Sequence, residues 1–125
     1  MEIIEREKST IIFESALEVH KQLGPGLLES AYVTCLQFEL LQRGLYVQRE
    51  VPLPLVYKDV KLDCGYRMDL VVENTIIIET KSVEAIHPVH HAQVITYMKL
   101  LGVRLGLLIN FNVTLLKNGF KRIAL

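Results

Sequence analysis

The sequence predicts an α/β fold of the α+β kind, a central mixed β-sheet flanked by helices. Three observations carry that expectation. Two helix-length segments joined by Gly24-Pro25-Gly26 open the chain. Two nearly pure apolar runs, Leu70 to Val72 and Ile76 to Ile78, flank the turn-prone Glu73-Asn74 and read as strands covered on both faces. A helical segment then leads to a third apolar run within Arg104 to Asn110, which makes a βαβ unit with parallel strands and a right-handed crossover.

The elements follow in order. From about Ser9 to Leu23, Ile12, Phe13, Ala16, Leu17 and Val19 recur at helical spacing, with Ser9 or Thr10 available as a cap. Gly24-Pro25-Gly26 ends that helix, since glycine suits a left-handed terminus and proline cannot simply continue the turn. A second helix is expected from about Leu27 to Arg43, closed by Gly44. Tyr46 to Val51, Leu53 to Tyr57 and Val60 to Leu62 read as short strands. Pro52 and Pro54 push these toward edges or bends, because proline donates nothing to a ladder. After the apolar hairpin, His87-Pro88 opens a helix over about Val89 to Leu101, with proline in its first turn and Gly102 as its stop. The tail suggests a last hairpin around Asn118-Gly119.

The bulk properties bound the function. A chain of 125 residues is expected to form a single domain over residues 1–125. Half of its residues are hydrophobic, a globular profile, and the formal net charge is +0. A global positive field is therefore excluded, and any phosphate contact has to come from a local patch. Cys35 and Cys64 show no CxxC spacing and read as reduced thiols of a cytoplasmic protein. No signal peptide and no membrane span are expected.

The charged residues of the hairpin call for an explanation. Asp69, Glu79 and Lys81 stand at the ends of strands expected to be central, where charge is costly unless it is paired or binds a cation. Glu79 and Lys81 are two apart and must share a face. Asp69 joins them on one condition. A two-residue loop at Glu73-Asn74 pairs Asp69 with Ile78, whereas a three-residue loop or a bulge sets it across from Glu79. With that parity, Asp69, Glu79 and the carbonyl of Thr80 make a partial shell for Mg²⁺ or Mn²⁺, and Lys81 is placed to assist an attacking water. The alternative is a cross-strand ion-pair network among Arg67, Asp69, Glu79 and Lys81, which spacing alone favours.

Two helical pairs add to the set. Glu29 and Tyr32 lie on one face of the second helix, and Gln93 and Tyr97 lie four apart on the third. Together, Gly26-Leu27-Leu28-Glu29-Ser30-Ala31-Tyr32, Asp69, Glu79-Thr80-Lys81 and Gln93-x-x-x-Tyr97 resemble the ordered motifs of the GxxExxY family, within the PD-(D/E)XK nuclease-like superfamily. The resemblance runs from about Ser9 to Ile123. It departs at Met68, where the superfamily name places proline.

This resemblance implies a restriction-endonuclease-like core and metal-dependent cleavage of phosphodiester bonds in nucleic acid, DNA being the expected form. It implies Asp69 and Glu79 as metal ligands, Lys81 as the catalytic lysine, Glu29 as the helical acid that completes the metal site, and Gln93 and Tyr97 as a helix motif of the active edge. The alternative from another class is a catalytically silent nucleic-acid-binding or assembly module of the same fold, which the zero net charge favours. A homodimer or a partner protein would concentrate basic residues such as Arg43, Arg49, Lys58, Lys61 and Lys121 on a substrate. His87, His90 and His91 do not form a three-histidine site, because the adjacent pair points to different sides of a helix. Caps or solvent-facing roles are expected of two of them, with His90 approaching the active edge.

Overall fold

The structure, a computed structural model, describes residues 3–125, with side chains from Glu5 onward. The expectation of no signal peptide begins on Met1 and Glu2, which lie outside the described residues. Helices α1 (Ile3–Leu23) and α2 (Glu29–Gln42) come first, followed by β1 (Val47–Pro52), β2 (Leu55–Tyr57), β3 (Val60–Leu62), β4 (Arg67–Val72) and β5 (Ile76–Lys81). Helix α3 (Pro88–Leu101), β6 (Leu105–Asn110), a 3₁₀ turn (Leu116–Asn118) and β7 (Phe120–Ala124) complete the chain. Five strands form one mixed sheet in the order β1-β4-β5-β6-β7, and β2 pairs with β3 in a separate ribbon. No helix among the described residues is long and apolar enough to cross a membrane.

The alternation of side chains along β5 and β6 explains how the sheet is covered on both faces. Ile76, Ile78, Leu105, Leu107 and Ile109 pack on one side against Ile12, Ala16 and Val19 of α1 and Tyr32, Leu36 and Leu40 of α2. Ile77 and Leu108 face the other side, against Val94, Tyr97 and Met98 of α3. Met68 is fully buried in this second cluster, so the departure from proline there is a core residue. Strands β5 and β6 run parallel from Ile76 against Leu105 to Lys81 against Asn110, as the βαβ reading expects. Gly106 lets α3 approach: a Cβ there would lie 2.6 Å from Val94 Cγ1 and 2.7 Å from Met98 Sδ.

Two expectations are corrected. Helix α1 begins at Ile3, well before Ser9. Ser9 is not a cap but a buried interior residue whose hydroxyl accepts from Arg122 Nε at 2.7 Å, and Thr10 donates back to the Arg6 carbonyl at 3.0 Å. The tail is not a tight hairpin around Asn118-Gly119 either. Strand β7 does pair antiparallel, but with β6, and the intervening chain makes the 3₁₀ turn. Gly119 carries a negative φ and serves a close approach, its carbonyl accepting from the Asn110 N–H at 2.8 Å. A Cβ at Gly119 would collide with the Asn110 carbonyl oxygen.

Candidate active site

The β4–β5 turn decides the geometry. Glu73 and Asn74 both adopt positive φ, 54° and 57°, and the Thr75 N–H donates to the Val72 carbonyl at 3.0 Å. The loop therefore has three residues, and the register runs Val72 to Ile76, Val71 to Ile77 and Leu70 to Ile78. The next positions are Asp69 and Glu79, abreast on the α3 side of the sheet. The parity that a two-residue loop would have lost is kept.

At that point the backbone ladder gives way to side chains. The Asp69 N–H donates to Glu79 Oε1 at 3.2 Å. In return Asp69 Oδ2 accepts from the Thr80 N–H at 2.8 Å and from the Thr80 hydroxyl at 3.1 Å. Across β1, Glu50 opposes Asp69 between the paired Arg49–Leu70 and Val51–Met68 positions, and it takes φ 50°. A non-glycine residue in the left-handed region is a local strain, here on the edge strand opposite Asp69.

Within a strand, a residue's N–H and C=O point toward the same neighbour. The Thr80 N–H is turned to Asp69, and the Lys81 carbonyl accepts from Phe111 on the β6 side at 3.0 Å. The Thr80 carbonyl accordingly points to the β4 side, the side of Asp69. Lys81 shares the face of Glu79 and is close enough to favour its charged form.

Burial dominates the electrostatics. Glu79 is 3% exposed, and its pKa is pushed up to about 9 from 4.5, first by burial and then by the neighbouring Asp69 carboxylate, against the opposing pull of Lys81. In the metal-free protein it holds a proton at neutral pH. The cross-strand ion-pair network is not formed: among the described residues Arg67 pairs with Asp63 at 3.7 Å, and neither Asp69 nor Glu79 has a cationic partner within ion-pair distance. Two hard oxygen donors held together by a proton are a fitting donor set for a divalent cation, which would replace that proton.

Helix α3 brings the second polar pair to the same face. Gln93 Nε2 donates to the Tyr97 hydroxyl at 3.0 Å. Tyr97 is held above the usual phenol pKa by burial and by Glu79, with Tyr66 and Asp69 adding and the Gln93 hydrogen bond opposing. Tyr97 thus lies within the field of the carboxylate pair, with Gln93 bonded to its hydroxyl. At the start of α3, His90 Nδ1 accepts from the His87 N–H at 3.0 Å, which ties that histidine to the helix start rather than to the carboxylates.

Glu29 arrives from the opposite side of the sheet. Its Oε1 accepts from the Ser82 N–H at 3.4 Å, and the Ser82 hydroxyl donates to the Leu27 carbonyl at 2.6 Å. The start of α2 is thereby tied to the residue after Lys81. Among the described residues no three carboxylate, histidine or cysteine side chains come together in metal-binding distance, so Glu29 does not join the Asp69 and Glu79 pair. Tyr32 is occupied structurally. Its hydroxyl donates to the Gly24 carbonyl at 2.6 Å and accepts from the Leu27 N–H at 3.1 Å, and its ring stacks on Phe111 at 4.5 Å.

Three contributors escape a reading of the residues alone. Ser82 and Asn110 hold the end of β5, with Asn110 bridging to the N–H and the carbonyl of Val83 at 3.1 and 2.9 Å. Tyr66 meets Tyr97 edge-on with ring centroids 6.0 Å apart. The available signal for Asn110 is a polar residue ending a wholly buried strand in register with Lys81.

A mixed sheet whose antiparallel hairpin sets one acid against an acid-x-lysine run, with helices on both faces, is the architecture of restriction-endonuclease-like proteins. The family model of the PD-(D/E)XK nuclease superfamily matches residues 6–123, and the chain belongs to that superfamily. Comparison with curated proteins and with solved structures finds no significant match. Membership supports a nuclease-like function with nucleic acid as substrate, in a superfamily that generally uses divalent metal ions.

Proposed function

We propose that the protein is a metal-dependent nuclease that hydrolyses phosphodiester bonds, with DNA as its substrate, and that it belongs to the GxxExxY branch of its superfamily. The observation that carries this reading is the pairing of Asp69 with Glu79 on the face that also bears Lys81. Gly26-Leu27-Leu28-Glu29-Ser30-Ala31-Tyr32 supports the branch assignment.

Asp69, Glu79 and the Thr80 carbonyl would hold Mg²⁺ or Mn²⁺, with Glu29, tied to Ser82 just beyond Lys81, as the helical acid on the other side and waters completing the shell. The bound ion supplies Lewis-acid polarisation of the phosphate and neutralises charge that develops on it. Lys81 orients the attacking water and stabilises negative charge in the transition state. Gln93 and Tyr97 position the phosphate through an amide and a neutral phenol. Water oxygen bonds to phosphorus as one ester P–O bond breaks, and the proton passes to the leaving oxygen or to solvent.

The test is cleavage of single- and double-stranded DNA and RNA with Mg²⁺ or Mn²⁺ by the wild type and by Asp69→Ala. Loss of activity in the variant supports the assignment, and activity that survives the substitution sinks it. One observation favours a second reading, a silent nucleic-acid-binding or assembly module: no third carboxylate joins the pair among the described residues. Mn²⁺ or nucleic-acid binding by the wild type without any turnover would select it.

A further inference from the structure

Beside the carboxylate pair lies a groove of about 300 Å³, lined by Leu55, Tyr66, Val89, Gln93, Thr96 and Tyr97 among others. Resting on the nuclease reading above, we propose that this groove takes an unpaired base adjacent to the phosphate being cleaved. The substrate class is then single-stranded or locally unpaired nucleic acid.

The groove and the carboxylates share a wall. Tyr97 lines the groove, and its hydroxyl sits in the field of Glu79 and Asp69. A nucleotide whose phosphate lies at the pair would then reach the groove with its base past the shared Tyr97. The size lies at the small end of ligand clefts and suits one planar ring system rather than a peptide or a duplex.

The lining suits a base in its chemistry as well. It is mostly apolar, with Gln93 and Thr96 as the polar side chains that can meet the edge of a ring. Tyr66 is 43% exposed and meets Tyr97 at 63°, so the two rings form a corner rather than a closed stack. An aromatic corner of this kind offers stacking, which every base can use whatever its sequence. In a duplex those faces are buried in the base stack, and a base reaches such a site only when it is unpaired.

The charge balance points the same way. With a formal net charge of +0, the chain is poorly supplied for duplex binding by phosphate neutralisation. Stacking needs no net charge. Of the β2–β3 ribbon, Leu55 lines the groove.

The experiment measures fluorescence anisotropy of labelled single-stranded DNA and RNA oligonucleotides, and of blunt duplexes of the same sequence, with Ca²⁺ replacing the catalytic ion. The wild type should prefer single strands by roughly 10-fold or more, and Tyr66→Ala should weaken that binding by roughly 5- to 150-fold, the range base–aromatic stacking gives. Tyr66→Phe should bind as the wild type does, and whichever sugar binds tighter names the polymer. Equal affinity for single strands and duplexes, no binding at all, or a Tyr66→Ala variant indistinguishable from wild type overturns the groove. Calorimetric Mn²⁺ titration separates the two failures. Mn²⁺ binding that is lost in Glu79→Ala but kept in Tyr66→Ala leaves the nuclease reading standing on its own, whereas binding indifferent to Glu79→Ala removes that reading and the groove assignment with it.

Discussion

Replacing Glu79 by glutamine separates the proton from the charge at the centre of the site. In the folded metal-free protein Glu79 is pushed up to about 9, whereas in the unfolded chain it titrates near 4.5. Between those values the folded state holds a proton that the unfolded state has released. Stability is then fully present below pH 4.5 and falls as pH rises, by about 1.4 kcal/mol per pH unit, until the folded value is passed. From pH 5 to 8 the loss from this one group comes to about 4 kcal/mol, a large share of the ~5–15 kcal/mol that holds a domain together. Glutamine has the shape of the protonated acid and no proton to lose, so it should remove that slope.

The assay is denaturant unfolding in a chelating buffer at several pH values across this window, for the wild type and Glu79→Gln. The wild-type curve should fall more steeply by about the amount given, with the variant the more stable protein at pH 8 relative to pH 5. Adding Mn²⁺ should restore the wild type, by about 2.7 kcal/mol at 100 times its dissociation constant, and leave the variant unmoved. Parallel pH profiles for the two proteins would refute the buried-proton account.

Other outcomes follow from the same contacts. Metal binding at pH 7 should release about one proton, seen as a calorimetric enthalpy that depends on the ionisation heat of the buffer, because the ion displaces the proton of Glu79. Asp69→Asn should abolish cleavage while costing less stability than Asp69→Ala, which leaves the buried Thr80 N–H without its acceptor at about 1–3 kcal/mol, checked by denaturation. Tyr32→Phe should lose about 1–2 kcal/mol by unpairing Gly24 and Leu27 while keeping the Phe111 stack, again read from unfolding curves. Gly106→Ala should cost about 1–3 kcal/mol, because its Cβ meets the stiff Val94 side chain as well as the adaptable Met98, and Gly119→Ala should cost more, because the obstacle is backbone.

The parts of the fold that follow from periodicity were legible in the residues. Apolar runs at Leu70–Val72, Ile76–Ile78 and Leu105–Ile109 could lie only between helices, and glycine and proline marked where α1 and α3 stop or start. The tail was not legible, because Asn118-Gly119 carries the signature of a hairpin turn while Gly119 is needed for its contact with Asn110. The start of α1 escapes for a similar reason, since Ser9 has the chemistry of a cap and is instead held by Arg122 from the far end of the chain. In the candidate site, Asp69 could be named but not placed. Its face depends on whether Thr75 belongs to the loop or to the strand, a difference of one residue that leaves no trace in composition. The Glu29 contact with Ser82 joins elements 53 residues apart, and no local pattern encodes it.

The opening of the hairpin is what allows one sheet to serve both as core and as site. From Val72 to Leu70, β4 bonds to β5 backbone to backbone, and its side chains fill both cores. A further backbone pair at Asp69 and Glu79 would satisfy the strands completely and leave their carboxylates with nothing to accept but each other's charge. The side chains instead take over two of the strand N–H groups, Glu79 receiving from Asp69 and Asp69 from Thr80, which anchors one oxygen of each acid. Those bonds fix the acids without neutralising them. The remaining charge is met by a proton on Glu79 in the free protein, and the cost of that proton grows with pH. On the proposed reading a divalent cation would remove the cost by binding the same oxygens, so that the pH-dependent loss of stability and the proposed affinity for a metal would arise from one arrangement of two side chains.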